Sequence, residues 1–289
     1  EKLQSYDRLN EVAKEVDKMM ERNPLHSDLI HLMGRLDECN AFILHCENYY
    51  KSESYRLKHQ QVHSRALALI KLFVVSNLRS HTSALVRELQ AAKFQKKSDI
   101  EALEQTFVTT MRRLSTSLRP IFVEIECRIM NENYAQLMAD CQYAYFNERR
   151  RLVLPIIKFK MESTEDVQTL SDIVRPSCAD LIHTAQMEHQ LMSLFFHSAK
   201  RGFDELIQSL SNAVYEVIRP LAITASMDDL CALANVIKSE LLAEQLRRRP
   251  DVTSPIYATY QRILEDIQER LCFLVEIFVR NEVTSYVPT

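Results

Sequence analysis

The chain contains only two glycines, Gly34 and Gly202, among its 289 residues. Glycine usually makes up about 7% of a globular protein, because tight turns, β-bulges and close backbone approaches require it. Hairpin-rich folds and glycine-rich phosphate-binding loops are therefore disfavoured in this chain. The sequence instead predicts long helices joined by short connections.

Apolar residues recur at spacings of three and four along most of the chain, which is the pattern of amphipathic helices. The last predicted helix, from Pro255 to about residue 284, shows this pattern most regularly. Its predicted core-facing residues are Ile256, Tyr260, Ile263, Ile267, Leu271, Leu274 and Phe278. Because no convincing run of alternating residues occurs, we predict an all-α fold.

The chain divides by its sequence into three predicted regions. Residues 1–22 form an amphipathic helix, either the end of a longer coiled coil or the first helix of a bundle, since so short a seam is not stable alone in water. The apolar positions of this seam are Tyr6, Leu9, Ala13, Val16 and Met20. As an exposed strip they would bind a partner helix. Residues 23–162 and 163–289 are interpreted as the first and second helical bundles.

Local signals predict where helices begin and bend. Ser226 three residues before Asp229, and Ser254 directly before Pro255, predict helix N-termini. Four prolines lie within helical patterns and predict kinks or short breaks. They are Pro120, Pro155, Pro176 and Pro220.

Composition narrows the function classes. The net charge of −3 provides no positive field for holding nucleic acid. The longest apolar run is far shorter than the ~20 residues that a membrane-spanning helix needs.

Seven cysteines lack the paired spacing of disulfide frameworks and zinc sites. They predict buried, reduced thiols in a cytosolic protein. Because the chain starts at Glu1 rather than at a methionine, we interpret it as a fragment of a longer protein.

Two arginine clusters are the candidate contacts with an anionic surface, either an anionic membrane or an acidic partner helix. The clusters are Arg149, Arg150, Arg151 and Arg247, Arg248, Arg249. Both also suit a plainer interpretation, because cations near helix C-termini stabilise the helix dipole.

Catalytic and metal-binding patterns are not found. His183 and His189 are six residues apart, which places them on opposed sides of a helix rather than one turn apart as in zinc proteases. His59 and His63 are one turn apart, but no third ligand lies near them in the sequence. A serine-nucleophile elbow and an active-site cysteine signature are also missing. We therefore predict no catalytic, cofactor-binding or metal-binding residues.

Four collinear stretches resemble one known family. They are LDECNAFI at 36–43, RPSCADLIHTAQMEHQLMSLFF at 175–196, VYEVIRPLA at 214–222 and ILEDIQERLCFLVEIFVRNEVTSYVP at 263–288. Each is similar to a block of subunit 3 of the conserved oligomeric Golgi complex, and the blocks occur in the same order. These stretches are mostly core-facing positions, so their specificity comes from their length and order.

The resemblance implies an all-α fold, an elongated rod of stacked antiparallel helical bundles preceded by the end of a coiled coil. It also implies a non-enzymatic subunit of a vesicle-tethering complex that acts in retrograde transport within the Golgi. It implies sibling subunits, SNAREs and Rab GTPases as partners, and peripheral association with the cytoplasmic face of the Golgi membrane. It brings no catalytic residue and no cofactor. The alternative from the residues alone is a helical lipid-binding or small-ligand-binding module, or an enzyme, with a pocket in the bundle core.

Overall fold

A computed structural model of the chain describes residues 2–45, 52–91, 97–162 and 169–283. These ranges contain helices and connecting turns, and no strand. The α-helices are α1 (Lys2–Glu21), α2 (His26–His45), α3 (Ser52–Ala91), α4 (Lys97–Cys127), α5 (Glu132–Glu162), α6 (Leu170–Phe195), α7 (Lys200–Thr224), α8 (Met227–Asn235) and α9 (Pro250–Phe278). The prediction of an all-α fold is confirmed.

Both glycines and the four prolines that were predicted to interrupt helices lie inside helices. Gly34 is within α2 and Gly202 is within α7, so neither forms a turn. The helices α4, α5, α6 and α7 each continue through one of the four internal prolines. None of the four prolines breaks its helix, and the kinks predicted as the alternative stay a prediction. Around Pro120 the adjacent Ile121 and Phe122 are fully buried, and this packing outweighs the hydrogen bond that proline removes.

The first compact unit contains residues 1–148 and 193–198. Within it α1, α2 and α3 pack on one another, and α4 packs on α2 and α3. Segment 193–198 joins this unit through Phe195 and Phe196. The ring of Phe196 lies 4.6 Å from that of Phe122 on α4, and the ring of Phe195 lies 5.0 Å from that of Tyr145 on α5.

A buried histidine pair lies in this unit. His59 and His63 are one turn apart on α3, and their rings stack with centroids 5.8 Å apart. His63 also meets the edge of the Tyr134 ring at 5.3 Å. Burial lowers the pKa of His63, the neighbouring His59 lowers it further, and Asp37 opposes the shift. The folded protein therefore favours the neutral form of His63.

This lowered pKa predicts a loss of stability in acid. The unfolded chain binds the proton of His63 near the ordinary pKa of 6.5, whereas the folded chain binds it only at lower pH. The free energy of unfolding should thus decrease below about pH 6.5, by at most about 1.4 kcal/mol per pH unit for one proton. Urea denaturation between about pH 7.5 and 5.5 measures this slope. A His63→Phe variant with the same slope as the wild type would contradict the prediction.

The second compact unit contains residues 149–192 and 199–289. The boundary therefore falls within α5 rather than at the predicted position between residues 162 and 163. A buried ion pair between Arg149 on α5 and Glu188 on α6 ties the second half of α5 to this unit.

Helices α7 and α9 run parallel in the second unit. Three side-chain hydrogen bonds join residues that are all separated by 51 positions. These bonds are Lys200 Nζ to Asp251 O at 2.9 Å, Gln208 Nε2 to Thr259 Oγ1 at 3.2 Å, and Tyr215 OH to Asp266 Oδ2 at 2.7 Å. The constant offset shows that the two helices keep the same alignment along most of α7. The connection between them is formed by α8 and its continuation.

That continuation, Val236–Gln245, is a π-helix. Its backbone bonds span five residues, as in the 2.9 Å bond from the Leu246 N–H to the Leu241 carbonyl oxygen. The buried apolar residues recur at spacings of four and five, which suits the wider turn of a π-helix. They are Val236, Ile237, Leu241, Leu242 and Leu246.

The predicted start of α8 is confirmed and that of α9 is wrong. Ser226 is the N-cap of α8: its Oγ accepts the N–H of Asp229 at 3.2 Å and donates to the Asp229 carboxylate at 2.7 Å. Helix α9 begins earlier than predicted, at Pro250, and includes Ser254. The earlier start is held by Thr253, whose hydroxyl donates to the Leu246 carbonyl at 2.7 Å.

These two serines give a matched pair of stability tests. Ser226→Ala removes the cap of α8 and should lower the free energy of unfolding by about 1 kcal/mol. Ser254→Ala changes an exposed residue inside α9 and should leave stability nearly unchanged. Chemical denaturation of both variants compares them directly. Equal losses would mean that Ser254 caps a helix after all.

Candidate interaction surfaces

The predicted partner-binding seam of residues 1–22 is mostly occupied within the chain. Leu9 and Val16 are fully buried where α1 packs on α2 and α3. The prediction of an exposed apolar strip is therefore wrong at these two positions, because α1 is the first helix of a bundle. Ala13 is half-buried, Met20 is exposed, and the side chain of Tyr6 lies outside the described residues.

The first arginine cluster does not form one anionic-surface contact. Arg149 is only 3% exposed, and its guanidinium donates two hydrogen bonds to the Glu188 carboxylate, from Nε at 2.8 Å and from Nη2. The prediction for Arg149 is wrong, because this side chain points into the second unit. Arg150 is half-buried and lines a polar groove with Asp204, Glu205 and Asn212, while Arg151 is exposed.

The second arginine cluster is fully exposed. Arg247, Arg248 and Arg249 form the turn between the π-helix and α9, and Arg249 directly precedes the first residue of α9. This position matches the predicted one, close to the end of one helix and before a proline. The role of these residues in binding an anionic surface stays a prediction.

A cleft lies between the C-terminal halves of α7 and α9, and sequence reasoning did not anticipate it. This α7–α9 cleft has a volume of about 330 Å³. Its lining residues are Tyr215, Arg219, Ala222, Ile223, Ile263, Asp266, Glu269, Arg270 and Phe273. Only the shared register of α7 and α9 brings these residues together, and no local motif reports that register.

The polar residues of the cleft are partly paired with one another. Asp266 accepts the hydrogen bond from Tyr215, and Arg219 Nε lies 4.0 Å from the same carboxylate. Arg262 stacks on the Tyr215 ring, with its guanidinium carbon 4.1 Å from the ring centroid. Burial raises the pKa of Tyr215, and its hydrogen bond to Asp266 raises the pKa further. Tyr215 is therefore a neutral donor that holds Asp266 in place.

Next to the cleft, the C-terminal end of α9 exposes large apolar side chains. Burial of the predicted core stripe stops at Ile267, which is 0% exposed, whereas Phe273 and Phe278 are 51% and 53% exposed. The exposed apolar residues of this end are Leu221 and Ile223 on α7 and Phe273, Val275, Ile277, Phe278 and Val279 on α9 or directly after it. The predicted burial of Phe278 is wrong. Each residue of α7 lies opposite the residue of α9 that is 51 positions later, so the last residue of α7, Thr224, lies opposite Val275. Helix α7 therefore does not cover the residues of α9 after Val275.

The potential metal ligands and the cysteine thiols were the other candidates for a chemical site. No group of three His, Cys, Asp or Glu side chains there is arranged to hold a metal ion. Burial raises the pKa values of the Cys141 and Cys178 thiols to about 12, which keeps them protonated and unreactive. Cys127, Cys231 and Cys272 are exposed, so the predicted burial of the cysteines is wrong at these three positions. Cys46 lies outside the described residues.

None of the helices in the described part of the chain has both the length and the apolar character needed to cross a bilayer.

Comparison with known proteins identifies relatives across eukaryotes. The subunit 3 protein of the conserved oligomeric Golgi complex from Homo sapiens is 28% identical over 263 residues, which cover 90% of this chain and 31% of the human protein. The Dictyostelium discoideum protein of the same name is 24% identical over 352 residues, covering 100% of this chain and 38% of that protein. The Saccharomyces cerevisiae protein of this name is 21% identical over 288 residues, which cover 91% of this chain and 35% of the yeast protein. No solved structure matches the chain significantly.

The chain thus spans about a third of the length of the curated relatives that it matches. Two family profiles match it in order along the sequence. The N-terminal profile of conserved oligomeric Golgi complex subunit 3 matches residues 1–80, and the C-terminal profile matches residues 105–289. Because the C-terminal profile alone covers well over half of the chain, the chain belongs to the family of conserved oligomeric Golgi complex subunit 3.

Proposed function

We propose that this chain acts, without catalysis, as part of a subunit of a vesicle-tethering complex at the Golgi. The observation that carries the proposal is the pair of family profiles that match residues 1–80 and 105–289 in order. In this role the protein binds sibling subunits through its helical surfaces and supports retrograde transport within the Golgi. SNAREs and Rab GTPases are further partners, and the protein associates peripherally with the cytoplasmic face of the Golgi membrane.

The surfaces of the second unit suit such a role. Contiguous apolar residues on a protein surface favour binding to other macromolecules, and the end of α7 and α9 exposes seven large ones. Arg247, Arg248 and Arg249 add an exposed basic turn that suits an acidic partner or an anionic membrane. These features support binding rather than chemistry.

The direct test is recovery of sibling subunits. Tagged full-length protein, expressed in cells that lack their own copy, should co-purify with the other subunits of the complex and restore retrieval of Golgi enzymes. A tagged helical protein of similar size but unrelated sequence is the control. Recovery of no sibling subunit above this control would overturn the proposal. A lipid or metabolite co-purifying in equal molar amount would instead favour the ligand-binding alternative.

A further inference from the structure

We propose that the α7–α9 cleft binds an amphipathic α-helix of a partner protein, and that an acidic side chain of this helix pairs with Arg270. This inference deepens the proposed function and rests on it, since it assigns one protein contact to one surface. The argument has three steps, which concern the shape of the cleft, its charges and the class of partner.

The shape of the cleft fits a helix. The apolar stripe of α9 continues at helical spacing beyond the buried Ile267 to Leu271 and Leu274, which are only half-buried. Where this stripe is buried, it packs against other helices of the second unit, chiefly α7, with α8 and the π-helix beside it. Its continuation presents the same ridges and grooves, which a further helix fills with residues spaced by three and four. Ile223 and Phe273, both about half exposed, form the opposite walls.

The charges of the cleft call for an acidic group on the incoming helix. The carboxylate of Asp266 already accepts from Tyr215 and lies next to Arg219. Arg270, by contrast, has no carboxylate partner, and its Nε is buried without a hydrogen-bond acceptor among the described residues. Its guanidinium carbon lies 5.2 Å from the centroid of the Phe273 ring, which holds the charge at the edge of the cleft. A guanidinium held in this way favours a carboxylate, which it can bind through two hydrogen bonds.

The balance of charge favours a protein over a membrane. Three acidic and four basic residues lie in or beside the cleft and on the end of α9, so the net charge of this surface is only about +1, a weak field for attracting anionic lipid. They are Asp266, Glu269, Glu276, Arg219, Arg262, Arg270 and Arg280. Alternating charges around an apolar cleft instead suit a helix whose own charges complement them.

Site-specific crosslinking in the purified complex tests the location. A photoreactive amino acid at position 223 of the full-length protein, within the assembled complex, should crosslink to a helical segment of another subunit. That segment should carry apolar residues spaced by three and four and an Asp or Glu beside them. The same probe at the exposed position 201, at the other end of α7, is the control. Crosslinks from position 223 into the same polypeptide, a second copy or lipid, or a yield equal to the control, would overturn the proposal.

Charge substitution tests the role of Arg270. Arg270→Glu should weaken binding of the crosslinked subunit about tenfold or more, and reversing the partner's acidic residue to Lys should restore it. Arg270→Met keeps the packing on Phe273 without the charge and should give an intermediate loss, which separates charge from misfolding. Arg201→Glu is the matched control and should leave binding unchanged. Unaltered binding by Arg270→Glu would contradict the proposal, whereas failure of the wild-type protein to bind any sibling subunit would contradict the proposed function itself.

Discussion

Replacing Arg149 with methionine should lower the free energy of unfolding by about 3–5 kcal/mol, because Glu188 would keep its charge in the interior without a partner. Both side chains are nearly inaccessible, at 3% and 4% exposure, and they are joined by two hydrogen bonds. Glu188→Leu should cause a loss of similar size. The double variant should recover most of the stability, since two apolar residues in contact bury no charge. Urea denaturation of the four proteins forms a double-mutant cycle.

A second ion pair in the same unit is the control for burial. Arg175 on α6 and Glu240 on the π-helix form the same two-bond geometry, at 2.8 and 2.9 Å, but on the surface. Arg175→Met should therefore change stability little, because water and salt screen an exposed pair. If Arg149→Met were as mild as Arg175→Met, the burial of Arg149 in the folded protein would be refuted.

The second large effect should appear on α9, where Ile267→Asp should lower the free energy of unfolding by about 4 kcal/mol or more. Ile267 is fully buried between helices, so an aspartate at this position would be a charge without a partner. Leu271→Asp, one turn later, should cost only about 1 kcal/mol, because Leu271 is half-buried. Thermal and chemical denaturation of this chain, residues 1–289, compare the two variants. A loss for Leu271→Asp as large as that for Ile267→Asp would show that the stripe stays buried beyond Ile267.

These two experiments concern positions where the sequence predicted one result and the structure gives another. The spacing of apolar residues identified the buried face of α9 correctly as far as Ile267. The same spacing continues to Phe278, but periodicity reports only which side of a helix is apolar. Leu271 and Leu274 are only half-buried although α7 still runs opposite them. The degree of burial therefore depends on how the helices pack, which no local pattern on α9 contains.

The charged residues show the same difference between local and long-range information. The capping bond of Ser226 involves residues three positions apart, and the sequence predicted it. The pairing of Arg149 with Glu188 joins two helices across 39 positions. Three consecutive arginines therefore look equivalent in the sequence, although the fold buries the first, half-buries the second and exposes the third.

The candidate site was the least predictable part. Asp266 and Tyr215 meet because α7 and α9 keep a constant register, and the packing of those helices leaves Arg270 Nε without a hydrogen-bond acceptor among the described residues. In the sequence alone, Arg270 looks like any other arginine in a predicted helix. The family resemblance, in contrast, was readable from the sequence, since it depends on the length and order of matching stretches.

The wide turns of the π-helix at Val236–Gln245 have a consequence for evolution and engineering. Deleting one residue from this segment would allow it to wind as an ordinary α-helix, in which each residue turns the chain by about 100°. Leu246 would then rotate away from its buried position, and the basic turn at Arg247–Arg249 would be redirected with it. The length and the wide winding of this segment thus determine the direction in which three positive charges are presented.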